Sequence, residues 1–494
     1  MMNTLRTRNV SSTRMLRKVL LGSAATAAMI GFSGAAMAQD NETDEEANEF
    51  GDNVIIVQAR KQNESLQEVP VTVTAIGGEV LEKYGVDQVA DVVSRVPTLN
   101  VQVGGSGSGG QLSLRGVGSS NISAAFDSAV AFDFDGVQVS TMRLVQAGFF
   151  DTAQIDVLKG PQSLFFGKSA SAGVFSVRSA DPTPDWEVGM KGQYEFEEKG
   201  YTVGGFISGP ISDTLGVRVA AQYNDIDEFV ELEPGTPAAN GRFRGTSNFV
   251  GRLTLDWNPD DRFNANLKVQ YVKNETDGAI QHSDISCGND GVADPIVLLS
   301  GGLTIDPGYN CNAFDGLYYL PDAAAALAPG IPTTPVSDAP SEAAGRNGVP
   351  FGETEIWFSR LRFDLDLSDS LTLTSITGLL DMDAVDFDCY SYGGRFPDGS
   401  GGFVAGGAGC SDPVNSLEQL TQELRISSNF DGGLNFTLGA FYEDRTFIFD
   451  TAQQAVNISF LGPDPVTGFT YDWDKTHTTK TEALSFFGSV IFDL

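Results

Sequence analysis

The sequence predicts a mainly β membrane protein in which an N-terminal α/β domain precedes the antiparallel strands of a transmembrane β-barrel. Three observations predict this class: an export signal at the start, alternating apolar and polar positions in the second half, and connections of two alternating lengths. Chains that cross a bilayer with strands and carry an export signal are typical of the bacterial outer membrane. That membrane is therefore the expected location.

The first 38 residues have the features of a secretory signal peptide. Residues 6–18 contain five basic side chains and no acid, and the apolar run that follows ends at Ala36-Met37-Ala38. The alternative is a transmembrane helix, but spanning takes ~20 apolar residues and this run is shorter. No later segment approaches that length, so the exported chain is expected to be either soluble or a membrane β-barrel.

The chain is strongly acidic, with 65 Asp and Glu residues against 31 Lys and Arg and a formal net charge of −34. Nucleic acid is excluded as a partner, because its phosphate backbone needs cationic contacts. Acidity of this size favours surface loops that stay in solution, but it identifies no ligand.

The four cysteines form two sequence-local pairs in segments rich in glycine, aspartate and proline. No C-x-x-C motif occurs and the chain has two histidines, so we predict neither a metal site nor another cofactor. An oxidising compartment favours disulfides in such loops. Of the three possible pairings we predict the local one, Cys287 with Cys311 and Cys389 with Cys410.

Residues 39–63 are expected to be a flexible segment, because its first part is too polar to bury. A short run rich in β-branched residues interrupts it, formed by Ile55, Ile56, Val57, Gln58 and Ala59. With no adjacent strand to pair with, such a run can add to the sheet edge of another protein. The alternative is that it is the first strand of the domain that follows.

Residues 64–182 are predicted to form a small α/β domain. The expected strands are 71–75, 112–115, 129–134, 155–158 and 174–177, and the expected helices are 78–84 and 86–93. Residues 160–169 end like a phosphate-binding P-loop, but Gln162 occupies a position at which that motif requires glycine. No nucleotide site is therefore predicted.

From residue 183 onward, apolar and polar residues alternate with the period of β-strands. A soluble β-sandwich would show the same alternation of apolar and polar residues, so the connections between strands distinguish it from a barrel. Short polar turns such as 258–261 alternate with long loops such as 276–353. This is the layout of outer-membrane barrels. The ten predicted strands are 186–196, 201–209, 215–228, 247–258, 262–274, 354–367, 371–387, 417–430, 434–450 and 479–494.

Ten strands are too few to enclose a domain of this size. Eight strands already fill a barrel interior with side chains, whereas barrels that hold a plug have ~22 strands. An open sheet in lipid would also leave two unpaired edges. We therefore expect an incomplete barrel, open between its first and tenth strands, and a closed ten-stranded barrel would contradict this expectation.

Several motifs resemble, in order, those of TonB-dependent outer-membrane receptors. Residues 55–59 are similar to the family's TonB box, Leu114-Arg115-Gly116 to its "IRG" motif, and Asp135-Gly136-Val137 to its "DGV" motif. Residues 155–170 closely follow the family sequence "IEVLRGPQGTLYGRNA". The resemblance runs from about residue 50 to the end, and the ordered set is far more specific than any one motif.

The resemblance implies that residues 64–182 are a plug inside the barrel. It further implies that the periplasmic protein TonB pairs with the box and that the receptor, held in outer-membrane lipid, imports a scarce large solute. The default solute is a metal chelate, a ferric siderophore. The alternatives are a passive porin-like channel and a receptor for a carbohydrate, cobalamin or an aromatic compound. No enzyme activity is predicted, because no catalytic Ser, His and Asp set is evident.

A plug in a wet lumen must be held by well-paired charges. We expect Arg115, Asp156 and Lys159 to supply plug contacts, although Asp156 and Lys159 stand where the family has Glu and Arg. Glu423 and Glu443 are the expected barrel partners, because alternation places both on the lumen face. The alternative is that these two carboxylates only contact lumen water.

Overall fold

The computed structural model describes residues 56–57, 61, 64–67, 69–86, 89–103, 109–119, 127–146, 150–196, 199–226, 245–277, 296–298, 303–305, 351–391, 395–397, 403–405, 408–411, 413–456 and 473–492. The predicted signal peptide and most of the segment 39–63 lie outside these residues. Within the described part of the chain, no helix is long and apolar enough to cross a membrane.

The N-terminal domain is built on a mixed sheet of five strands. Their order across the sheet is Thr72–Gly77, Thr152–Lys159, Gly173–Ser179, Val130–Phe134 and Val137–Val139. A second sheet contains Leu99–Val103, Gly110–Leu114 and Val117–Gly118. The short helices are Gly78–Lys83, Val89–Val93, Arg143–Gln146 and Ser163–Phe166. All of the predicted strands and helices are present, and several connections contain further short elements.

The apolar core of this domain continues into the wall of long strands. Leu112, Ile155 and Phe175 are completely buried and belong to the same cluster as Phe358, which lies on the inner face of the long-stranded sheet. The rings of Phe134 and Phe358 meet edge to face, with centroids 5.2 Å apart. Apolar packing therefore adds to the charge pairs that the sequence predicts between the two parts.

Ten long strands form one antiparallel sheet, in agreement with the predicted count, and we call them barrel strands one to ten. They are Glu187–Glu195, Gly200–Ser212, Leu215–Ile226, Gly245–Asp260, Phe263–Asp277, Phe351–Ser368, Leu371–Ser391, Val414–Ser428, Leu434–Val456 and Trp473–Phe492. A short strand, Ala408–Ser411, pairs with the outer ends of barrel strands seven and nine.

The sheet is open. Barrel strand one pairs with strand two and strand ten pairs with strand nine, and no described residue joins strand one to strand ten. Short hairpins at Ile296–Leu298 with Leu303–Ile305 and at Arg395–Pro397 with Phe403–Ala405 lie within the predicted long loops.

The two faces of the sheet differ in the way that alternation predicts. On barrel strand four, Arg252 and Thr254 are buried against the N-terminal domain, whereas Leu253 and Trp257 are exposed on the other face. Trp357 on strand six is also exposed. An outer face of exposed apolar side chains bordered by aromatic residues is the surface that a lipid bilayer requires.

Candidate functional site

The β-branched run at the start of the described chain is paired and docked. Ile56–Val57 pairs antiparallel with Glu64–Ser65, and we call this pair of strands, with Lys61 between them, the docked hairpin. The carbonyl of Ile56 accepts hydrogen bonds from Gln154 Nε2 at 3.0 Å and from Arg178 Nη2 at 3.1 Å. Both edges of the run are therefore occupied. Ile55, Gln58 and Ala59 lie outside the described residues.

Burial reinforces the docking. Val57 is completely buried and belongs to an apolar cluster of the plug that includes Leu158, Phe166 and Val174. The expectation that the run has no adjacent partner is therefore wrong. Its partner, Glu64–Ser65, is a polar pair of two residues, too short for alternation to indicate a strand.

Lys61 joins the docked hairpin to both the plug and the barrel. Its Nζ lies 3.1 Å from Glu423 Oε2 on barrel strand eight and 4.0 Å from Asp133 Oδ1 in the plug sheet. The same ammonium lies 4.9 Å from the centroid of the Phe166 ring. Its backbone has a φ of +61°, a conformation that residues other than glycine rarely adopt. One side chain thus connects three parts of the protein.

Glu443 on barrel strand nine is the second carboxylate that meets a plug cation. Lys168 Nζ lies 2.9 Å from Glu443 Oε2 and 3.1 Å from Asp127 Oδ2. Arg445 Nη2 lies 2.7 Å from the other oxygen of Asp127. Burial alone would raise the pKa of Asp127, but Arg445 and then Lys168 lower it below its usual value. Gln419 completes the group by donating a hydrogen bond to Glu443 Oε1 at 3.1 Å.

The predicted carboxylates Glu423 and Glu443 contact the plug, but the predicted plug residues are not their partners. Arg115 is exposed in a left-handed turn, and Lys159 lies in a strand with plug strands on both sides. Neither forms an ion pair with a described barrel residue. Asp156 is buried inside the plug, 3.7 Å from Arg178 Nη2.

The two plug cations that do contact these carboxylates, Lys61 and Lys168, lie in or near motifs of the sequence. Lys61 lies two residues after the run that resembles a TonB box, and Lys168 lies within the 155–170 motif. Alternation can assign a barrel residue to a face, because the strands are long. It cannot identify a cation on a short plug loop, whose position depends on contacts distant in sequence.

Barrel strands three to six contact the plug with the opposite polarity, since there the barrel supplies the cations. Lys268 on strand five is fully buried, with its Nζ 3.1 Å from Asp135 Oδ1 and 2.9 Å from Ser179 Oγ. Arg360 on strand six donates from Nε to the Asp135 carbonyl at 2.9 Å. Burial alone would raise the pKa of Asp135, but Lys268, then Arg360 and Arg252, hold it well below its usual value.

Asp151 is a second plug carboxylate on this side. It accepts a hydrogen bond from Arg218 Nε on barrel strand three at 2.9 Å. Arg252 on strand four donates to the backbone carbonyls of Asp151 and Phe150, at 3.0 and 3.1 Å. None of these barrel cations is predicted from the sequence.

Between the two sides, Arg143 of the plug forms an ion pair with Asp386 on barrel strand seven. Its Nη1 also donates to Thr354 Oγ1 on strand six at 2.9 Å. Both charged side chains are buried. The described plug is thus held by charge pairs from strand three to strand nine. Among the described residues, its charged barrel partners are cations on strands three to six and include carboxylates on strands seven to nine.

The predicted disulfides are placed only in part. Cys389 and Cys410 are directly opposite each other in the pairing of barrel strand seven with the short strand Ala408–Ser411. Opposite residues of an antiparallel pair lie within the ~4.4–6.8 Å Cα separation that a disulfide needs. Cys287 and Cys311 lie outside the described residues. Among the residues described, no group of three or more His, Cys, Asp or Glu side chains could hold a metal ion.

Comparison with known proteins supports this architecture, in which a plug lies against a sheet whose outer face is apolar. Residues 65–174 match the family model described as the TonB-dependent Receptor Plug Domain. Residues 65–174 are therefore similar to the plug of TonB-dependent receptors, and this similarity supports a location in the bacterial outer membrane.

The pesticin receptor of Yersinia pestis is 29% identical over 233 residues, which are 46% of this chain and 32% of that protein. The iron-regulated outer membrane virulence protein of Vibrio cholerae is 26% identical over 268 residues, 51% of this chain and 38% of that protein. The chain thus spans about a third to two fifths of the length of these relatives.

A solved structure shows the same fold. The ferric yersiniabactin uptake receptor of Yersinia pestis superposes with a TM-score of 0.59 at 18% identity. The alignment covers 85% of this chain and 54% of that one.

Proposed function

We propose that this protein imports a scarce, large solute, most simply a ferric siderophore, by movement of the plug that TonB drives from the periplasm. The docked hairpin is the observation that carries the proposal. It contains the run that resembles a TonB box, and Lys61 connects that run to the barrel wall through Glu423. A pull on this segment would therefore act at once on the contact between plug and barrel.

The charge pairs supply a physical reason for an energy requirement. Removing one partner of a buried ion pair costs about 3–5 kcal/mol, because the other charge stays buried without compensation. Lys61 with Glu423, Arg143 with Asp386, Asp151 with Arg218 and Asp135 with Lys268 are all pairs of buried side chains. A plug held in this way would not leave the wall spontaneously, which favours driven import over a passive porin-like channel.

The names of relatives support the choice of cargo. One solved relative is an uptake receptor for ferric yersiniabactin, and another relative is described as iron-regulated. A ferric chelate is therefore the first solute to test. A carbohydrate, cobalamin or an aromatic compound is the alternative, and no feature of the described residues favours it.

The proposal predicts that proline at the box abolishes driven uptake. Ile56→Pro and Val57→Pro each remove a backbone donor and fix φ, so strand addition by TonB fails. We expect cells with either variant to lose energised uptake of radioactive iron supplied as catecholate, hydroxamate and citrate chelates. Binding of the chelate to energy-depleted cells should persist.

Ile56→Val is the matched control, because it keeps both the backbone donor and the β-branched side chain. It should import at a rate close to that of the unchanged protein. Normal uptake by both proline variants would contradict the role assigned to this run. If the unchanged protein imports none of the ferric chelates, a carbohydrate, cobalamin or an aromatic compound should be tested next.

A further inference from the structure

Asp133 is a buried plug carboxylate whose two oxygens have unequal surroundings. Its Oδ2 accepts hydrogen bonds from Ser176 Oγ at 2.8 Å and from the Gly136 backbone at 3.3 Å. Its Oδ1 is buried and accepts no hydrogen bond from any described group. The nearest cation to Oδ1 in the described ion pairs is Lys61, at 4.0 Å. The charge of Asp133 thus depends on a residue of the docked hairpin.

The neighbouring charged side chains do not take the place of Lys61 as a partner of Asp133. Glu423 has a second partner, because Arg425 Nη1 lies 2.6 Å from its other oxygen. Asp156, two strands away in the plug sheet, is a further negative charge, and Arg178 is directed to Asp156 and to the Ile56 carbonyl. The strand Val137–Val139 on the other side has no charged residue. If Lys61 leaves, Glu423 keeps a cation and Asp133 does not.

We propose that release of the docked hairpin is coupled to the uptake of one proton by Asp133, so that acid conditions favour release. The proton comes from solvent and binds the carboxylate as Lys61, still charged, moves away with the hairpin. Release itself can be measured without TonB. Its importance for import rests on the proposed function.

The direction of the pH effect follows from the two states. In the docked state burial raises the pKa of Asp133, and Lys61 partly offsets this effect. In the released state Lys61 no longer offsets the effect of burial, and the negative charge of Glu423 still opposes ionisation of Asp133. The pKa of Asp133 is therefore higher in the released state than in the docked state. The released state therefore binds more protons in the window between these two pKa values. Docking is strongest above the released-state pKa and weakens as pH falls toward the docked-state pKa.

Hydrogen exchange of the intact protein in detergent tests this coupling. Release of the hairpin is measured as the hydrogen-exchange rate of peptides that cover residues 56–65. Each rate is divided by the intrinsic exchange rate at the same pH, so that the remaining pH dependence reports release. Because one proton is taken up, we expect protection to fall by up to about tenfold per pH unit within the window. Asp133→Asn should remove this slope, since the amide cannot titrate. Lys61→Met should lower protection at every pH and also remove the slope.

Two matched variants test whether Asp133 itself causes the pH dependence. Glu443→Gln changes a buried barrel carboxylate that contacts Lys168, not Lys61, so the slope should remain. Asp156→Asn tests another buried plug carboxylate, whose pKa is also raised by burial. A slope that persists in Asp133→Asn, or disappears in Asp156→Asn alone, would overturn the assignment to Asp133. So would protection that does not depend on pH in the unchanged protein.

Folding of the variants is checked in the same experiment. Peptides from Thr152–Lys159 and Gly173–Ser179 report whether the plug sheet is intact. If Asp133→Asn loses that protection, Ser176→Ala provides the second test. It removes a hydrogen bond that favours the ionised carboxylate, so the window should move to higher pH. An unmoved window would then reject the proposal. The assay contains neither TonB nor solute, so its failure would leave the import proposal standing.

Discussion

At the residue scale, several buried charges of the interface are stabilised by more than one partner. Lys268 is the clearest case, because its ammonium contacts Asp135, Ser179 and Asp181 within 3.1 Å. An isolated buried ammonium would be strongly unfavourable, and pairing alone rarely recovers the whole cost of desolvation. These contacts therefore determine the position of the plug against the barrel sheet more than they increase the net stability of the protein.

Lys268→Met should destabilise the plug. It leaves Asp135 buried beside Arg360 and Arg252 but without its closest cation, and we expect a loss of about 3–5 kcal/mol. Denaturant unfolding monitored by hydrogen exchange of Gly173–Ser179 measures this effect. Lys273→Met is the control on the same strand, because Lys273 is largely exposed and pairs with Glu275 at the surface. Equal stability of the two variants would show that the Lys268 contacts contribute little.

At the element scale, the barrel strands agree with prediction because their signals are local. Alternation over more than ten residues and a short polar turn at one end determine a strand and its faces, as in Phe263–Asp277. The docked hairpin could not be predicted in this way. Its two strands have two residues each, and they are stabilised by Gln154 and Arg178, which lie about a hundred residues away in the sequence.

One of the two predicted disulfides would connect neighbouring strands. The register places Cys389 opposite Cys410, so oxidation should join barrel strand seven to the short strand Ala408–Ser411. Peptide mapping of the unreduced protein should recover Cys389 linked to Cys410, and Cys287 linked to Cys311. Mapping after reduction is the control. Crossed pairs or free thiols in protein kept under oxidising conditions would reject the prediction.

At the scale of the whole molecule, the sequence predicts which faces meet but not which residues pair. Alternation assigns Glu423 and Glu443 to the lumen face, and both contact the plug there. Their partners could not be found in the same way, because Lys61 and Glu423 are 362 positions apart and no local pattern relates them. The barrel cations were missed for a related reason, since a polar residue on a lumen face can equally well contact water.

The arrangement of the outer face predicts how deeply the protein sits in lipid. On barrel strand four the exposed apolar positions run from Phe249 to Trp257, a distance of ~27 Å at ~3.4 Å per residue. At a strand tilt of ~40° that length spans ~21 Å along the membrane normal, which lies within the ~25 Å apolar band of an outer-membrane barrel. Trp257 lies beside a short turn, and Trp357 is exposed toward the opposite end of strand six. Both indoles should therefore lie near the two borders of the bilayer.

Variants that keep Trp257 or Trp357 as the sole tryptophan, with the others changed to phenylalanine, would test this placement in lipid vesicles. Nitroxides attached near the lipid headgroup should quench both indoles more strongly than nitroxides near the end of the acyl chain, because a tryptophan at the interface is closer to the former. Leu253→Trp in a background without other tryptophans is the control, since this position lies halfway along the exposed apolar face. It should show the reverse preference. Deep quenching of Trp257 and Trp357, or no quenching of any of the three, would mean that this face does not meet the bilayer in the proposed way.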